Sequence, residues 1–219
     1  PGRLNDMTRT RRATVAMLLV GLAIFSSLYS TQAILPTLVD NMGLSSTEAA
    51  MTVSAATGAL ALCVVPASIL SERFGRGRIL LISAVAATGV GLIVPFAQEG
   101  WQLIVVRGLQ GALLSGAPAT AMAWLSEELD DKALPQAMGL YIAGTSVGGL
   151  TGRLIPTGLV EISTWRWALF GSALVSLAFA ITSWLLLPTQ RNFRPKSIHL
   201  KTESRALFGH WANRDLALL

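Results

Sequence analysis

The sequence predicts an all-α integral membrane protein, a bundle of six spanning helices, and three observations carry that prediction. The first is composition. Of 219 residues, 52% are hydrophobic and only 13% charged, with a mean hydropathy of +0.56, whereas a soluble domain carries about 25% charged residues. The second is the spacing of the charges. Residues 13–39, 49–71, 79–98 and 167–190 carry none, while 100–126 and 133–160 carry one arginine each, so that every gap is 20 to 28 residues long. About 20 helical residues at 1.5 Å each cross a hydrocarbon core of about 30 Å. The gaps are continuously apolar and do not alternate with period 2, which selects helices over a barrel. The third is the side on which the basic residues fall: fourteen of the seventeen lie on one side of the resulting topology.

Taken in order, the spans fall near residues 13–38, 47–70, 79–97, 101–125, 134–160 and 166–187. The first follows MTRTRR, and its 27 uncharged residues exceed the 7–15 of a signal-peptide core, so it reads as a retained helix. Residues 1–12 form a short tail before it. Arg3, Arg9, Arg11, Arg12, Arg73, Arg76, Arg78, Lys132 and the six basic residues from Arg191 onward share one side. By the positive-inside rule both termini and the loops around Arg76 and Lys132 are expected in the cytoplasm of a cell-membrane protein. The opposite loops carry Asp40, Glu48, Glu99 and Glu161, with Arg166 as their single basic residue. Pro188 stops the sixth span, and residues 188–219 read as a basic cytoplasmic linker that could lie on anionic lipid. Leu216 opens a fresh apolar run, expected to be the start of a truncated seventh span, so the chain reads as one half of a longer protein.

Several functions are excluded or disfavoured on the same evidence. The pI near 10.1 comes from juxtamembrane residues without aromatic interleaving, which is topology and not a nucleic-acid surface. The single Cys63 lies mid-span and allows no intrachain disulfide. Gly144-Thr145-Ser146-Val147-Gly148 matches the G-x-S-x-G pattern, but a nucleophile elbow needs a strand–turn–helix context and a histidine base. The only histidines, His199 and His210, sit in the linker. No enzyme activity, cofactor or metal is expected.

Four stretches resemble the N-terminal half of a major facilitator superfamily transporter. Between spans 2 and 3, Ser68-Ile-Leu-Ser-Glu72-Arg73-Phe-Gly75-Arg76-Gly-Arg78 is similar to the family's Gly-x-Leu-Ala-Asp-Arg-x-Gly-Arg-Arg loop, with Leu70, Arg73, Gly75 and Arg76 matching. In span 4, Arg107-Gly-Leu-Gln110-Gly111 matches Arg-x-x-Gln-Gly. In span 1, Tyr29 to Pro36 is similar to the Tyr-x-x-Gln-Pro-x-Leu-Pro of efflux-type members, without its first proline. In span 5, Gly144, Gly148 and Gly152 align with the antiporter motif Gly-x-x-x-Gly-Pro-x-x-Gly-Gly, with Gly149 in place of its proline and Arg153 in place of its last glycine. The resemblance implies two inverted three-helix repeats, a second six-helix half, and alternating access by rocking of the halves. It also implies that Glu72, Arg73, Gly75, Arg76 and Arg78 form a latch on the cytoplasmic side. Small residues recurring every four positions let two helices pack backbone to backbone, the role expected of Gly144, Gly148 and Gly152, and of Gly111.

Two arginines inside the spans point to chemistry. Arg107 lies eight residues after Glu99, Arg153 eight before Glu161 and Gln32 eight before Asp40, which places all three roughly 12 Å below one membrane edge. A mid-membrane arginine costs about 2.5–3.5 kcal/mol even on lenient scales, so it faces a polar cavity and finds partners. Apart from Glu48 at the edge of the second, no acid occurs inside any span. Arg107, Arg153 and Gln32, with Tyr29 and Gln110, are therefore expected to bind an anionic group of a small solute or an acid of the second half. The competing reading of Arg107 is purely structural, a guanidinium holding backbone carbonyls between spans. The function that follows is a secondary transporter half moving a small organic solute, in the efflux direction. The alternative is a six-helix membrane assembly partner or sensor that transports nothing.

Overall fold

The computed structural model describes the backbone of residues 2–193 and the side chains from Met7 onward. The basic stretch from residue 194, both histidines and the fresh apolar run at Leu216 lie outside the described residues. Among the described residues, eight α-helices make six rods. The first rod is α1 (Gly2–Tyr29), a 3-10 turn at Gln32–Ile34, and α2 (Leu35–Met42); α3 (Ser46–Phe74) is the second. The third is α4 (Arg76–Gly91), continued by a 3-10 turn at Val94–Phe96, and the fourth is α5 (Gly100–Leu114) with α6 (Gly116–Glu128). The last two are α7 (Leu134–Ile162) and α8 (Trp165–Leu186). No strand occurs among the described residues. The backbone of the expected N-terminal tail is already helical, because α1 runs back to Gly2.

Prolines stand just after the breaks in the first and fourth rods, whereas Pro66 and Pro156 lie inside unbroken helices. Pro36 has no N–H to give to the carbonyl four residues back, and its ring clashes there, so the first rod leaves α-geometry between Tyr29 and Leu35. Pro118 acts alike near Ser115, where α5 gives way to α6. Elsewhere the elements begin and end on local signals. Ser45 and Glu48 form a reciprocal capping box at the start of α3, satisfying two otherwise orphaned donors. The turn between α3 and α4 is one residue, Gly75, at φ +102°, a backbone state that a side chain would strain.

By length and hydropathy, four rods qualify outright as membrane spans: Met7–Met42, Ser46–Phe74, Arg76–Phe96 and Trp165–Leu186. The other two, α5 with α6 and α7, carry the intramembrane arginines and are spans by their place in the bundle. The rods pack in the row α7, α1, α8, α4, α5 with α6, and α3. Exchanging the first rod with α5–α6, α3 with α7 and α4 with α8 maps the outer contacts onto one another and the central α8–α4 contact onto itself. That is the signature of two inverted three-helix repeats.

The core runs through α1, where Met17, Val20, Ile24 and Leu28 meet Leu80, Leu114, Trp124 and Tyr141. A second cluster at the far end joins Ile34, Leu38, Val94, Leu103, Trp165 and Leu169. Of the apolar window of the first rod 56% is buried, against 6% for α3. The row thus ends on α3 and α7 with open faces. On α7 these show Ile142, Val147, Leu150 and Leu154, and on α3 Leu62 and Val65.

Candidate functional site

The break in α1 creates the site's first problem. The last carbonyls of a helix have no intrahelical partner, and inside a bilayer no bulk water serves them. Arg107, fully buried on α5, solves it. Its Nη2 donates to the Leu28 carbonyl, and its Nη1 to the Ser27 carbonyl at 3.1 Å and to Gln110 Oε1 at 2.5 Å. Its Nε reaches the Thr52 carbonyl of α3 at 3.4 Å. Gln110 extends the network, donating to Ser27 Oγ at 2.8 Å and to the Ala87 carbonyl of α4 at 3.2 Å. A cation at a helix C-terminus also meets the negative end of the helix dipole. Four rods are thereby pinned at one level.

Arg153 stands in a different environment. It is exposed on α7, with its guanidinium 4.3 Å above the Tyr29 ring. Its Nε donates to Gln32 Oε1 at 2.9 Å and its Nη1 to the Gly149 carbonyl at 3.2 Å. Its Nη2 has no hydrogen-bond partner among the described residues. The approach depends on the glycine stripe. A Cβ at Gly144, Gly148 or Gly152 would run into the backbone of Leu18, of Gly21 and Leu22, or of Ser26, so α1 and α7 touch main chain to main chain. Gly149 faces the Tyr29 ring itself. Gly111 plays the matching part between α5 and the Ala56 backbone of α3.

Gln32, Tyr29 and Arg153 come together, whereas Arg107 and Gln110 form a closed cluster beneath the break, bonded to neither Gln32 nor Arg153. Equal depth in the membrane does not fix the direction a side chain takes around its helix, and spacing alone could not show it.

At the opposite, basic end of the bundle, Arg76 binds Glu127 at 2.6 Å and Glu72 at 3.5 Å. Gly75 makes the turn and donates its N–H to the Ser71 carbonyl at 3.0 Å. Arg73 and Arg78 are exposed, Arg73 lying 5.4 Å from the Phe74 ring. Sequence reasoning missed Glu127 and Glu128. The Glu128 carboxylate is buried, takes Arg9 at 2.5 Å, and accepts the main-chain N–H groups of Arg191 at 2.9 Å and Asn192 at 2.7 Å. Gln190 donates to Glu127 at 3.1 Å. The available signal was two adjacent acids on the side where the charge rule calls for bases.

A six-rod membrane bundle built from inverted repeats, with a polar site on broken helices, is the architecture of a secondary-transporter half. The family model of the Major Facilitator Superfamily matches residues 16–216, and the chain belongs to that family. The inner membrane transport protein YnfM of Escherichia coli K12 is 36% identical over 95% of this chain and 50% of its own length. A gallate transporter of Pseudomonas putida is 28% identical over 73% of this chain and 36% of its own length. The crystal structure of a bacterial homologue of the human lysosomal transporter Spinster, inward-facing and unoccupied, shares the fold. Its TM-score is 0.62 at 18% identity, covering 92% of this chain and 49% of that one. The chain thus spans about half the length of the curated relatives it matches.

Proposed function

We propose that this chain is the N-terminal half of a secondary transporter that carries a small organic solute with an anionic group across the cell membrane by alternating access. The observation that carries the reading is Arg153: a cation on an open helix face, oriented by Gln32 and Tyr29, with one nitrogen unsatisfied and no acid paired to it among the described residues. A guanidinium held through Nε and Nη1 keeps Nη2 free for a carboxylate, in a geometry the two fixed bonds define. The gallate named for one relative is itself an anion of this kind. Tyr29 and Gln32 position the arginine, and Arg107 with Gln110 fixes the broken end of α1 that carries them. The second half would pack over the open faces of α3 and α7. Both termini lie in the cytoplasm on this reading, where the loop of Glu72, Arg73, Gly75, Arg76 and Arg78 latches the halves, with Arg76 also paired to Glu127 and Glu72. The outward direction follows from the likeness of Tyr29–Pro36 to efflux-type members.

The test is transport by the full-length protein in vesicles, with a panel of aromatic and aliphatic carboxylates offered on either side. Arg153→Gln is expected to reduce carboxylate flux by at least tenfold, the effect of about 1.4 kcal/mol, with the protein still inserted. Unchanged flux and apparent affinity in that variant would remove the reading.

A further inference from the structure

A second arginine with an open edge lies elsewhere, at the far end of the seam between α4 and α8. There a groove of about 530 Å³ is lined by Phe96, Gln98, Thr164, Arg166, Trp167 and Phe170. Arg166 Nη1 donates to the Pro95 carbonyl and, at 2.8 Å, to the Ala97 carbonyl, both at the end of the α4 rod. Its guanidinium lies 4.2 Å from the Trp165 ring centroid. One nitrogen is therefore locked, while Nε and Nη2 have no hydrogen-bond partner among the described residues. Beside it, Phe96 is 69% exposed and Trp167 66%, and Trp167 meets Phe170 edge to face at 5.9 Å.

Three features say what covers this groove. The α4–α8 seam lies mid-row, away from the open faces of α3 and α7 that end it, so it borders lipid. Its rings sit at the end of the α4 rod and in the first two turns of α8, the level where aromatic residues meet the headgroup layer. Its cation is the single basic residue among the acidic loops of that end, and a fixed guanidinium edge with apolar walls complements a phosphate with hydrocarbon attached.

We propose that this groove binds a glycerophospholipid, with the headgroup phosphate on the Nε and Nη2 edge of Arg166 and the upper acyl carbons on Phe96, Trp167 and Phe170. The site is separate from the Arg153 cluster and does not depend on the transport reading.

The experiment is native mass spectrometry of the full-length protein in detergent, titrated with phosphatidylglycerol, with diacylglycerol of the same chains and with inorganic phosphate as competitor. The protein is expected to retain phosphatidylglycerol over diacylglycerol. Arg166→Gln and Trp167→Ala should each lower retention by about tenfold, the scale of one charge-assisted contact or one buried aromatic ring. Trp167→Ala leaves the Arg166 clamp on Pro95 in place, so its loss of lipid cannot be blamed on a disturbed helix end. Inorganic phosphate should not displace the lipid. Equal retention of diacylglycerol, displacement by inorganic phosphate, wild-type retention in both variants, or loss in Arg166→Gln alone would each overturn the proposal.

Discussion

Arg107 and Arg153 are the same residue type at the same expected depth, yet the bundle uses them in opposite ways. Arg107 is enclosed, and its donors go to carbonyls that the proline break in α1 leaves without helical partners. Arg153 is on an open face, stacked over Tyr29 and bonded to Gln32, with donor capacity left over. One guanidinium closes a structural deficit; the other remains available. An arginine inside a membrane is therefore not by itself a substrate site. What matters is whether the backbone around it has already claimed its hydrogen bonds.

The largest effect is expected at Arg107. Arg107→Gln should destabilise the folded bundle by about 3 kcal/mol or more, since several buried carbonyls lose their donor at about 1–3 kcal/mol each. A thermal melt of the detergent-solubilised protein that matches the wild type would refute the structural role. Next in size is Gly148→Val, which must push α7 off the backbone of Gly21 and Leu22 and is expected to cost about 1–3 kcal/mol. The same melt, combined with loss of a cysteine crosslink engineered between α1 and α7, measures it. Glu128→Gln should cost about 1–2 kcal/mol by weakening one ion pair and two charge-assisted bonds to amide groups. Its readout is faster proteolysis around residues 188–193. Smallest in stability is Arg153→Gln, within about 0.5 kcal/mol of wild type as for an exposed position, although transport should fall at least tenfold. If Arg153→Gln unfolds the protein as Arg107→Gln does, the distinction between the two arginines is lost.

Much of the fold was legible because a bilayer imposes a length. Uninterrupted apolar gaps of 20 to 28 residues leave little freedom in counting rods, and the basic residues sort the loops. The glycines at 144, 148 and 152 were legible too, since a repeat of four on a helix makes one flat stripe. The site was only partly readable. Tyr29 and Gln32 meet Arg153 because the rod leaves α-geometry before Pro36, and hydropathy is blind to that departure: the first span looked like one continuous helix over 13–38. Glu127 and Glu128 escaped notice for a related reason. Their partners Arg76, Arg9 and the amides of Arg191 and Asn192 come from distant parts of the chain, and long-range pairing leaves no periodicity behind.

The buried carboxylate of Glu128 has a mechanical consequence. By gripping the main chain at Arg191 and Asn192 it makes the segment after Pro188 travel with α6 and Arg9 as one body. The five residues from Pro188 to Asn192, roughly 17 Å of extended chain, are thereby fixed to the bundle.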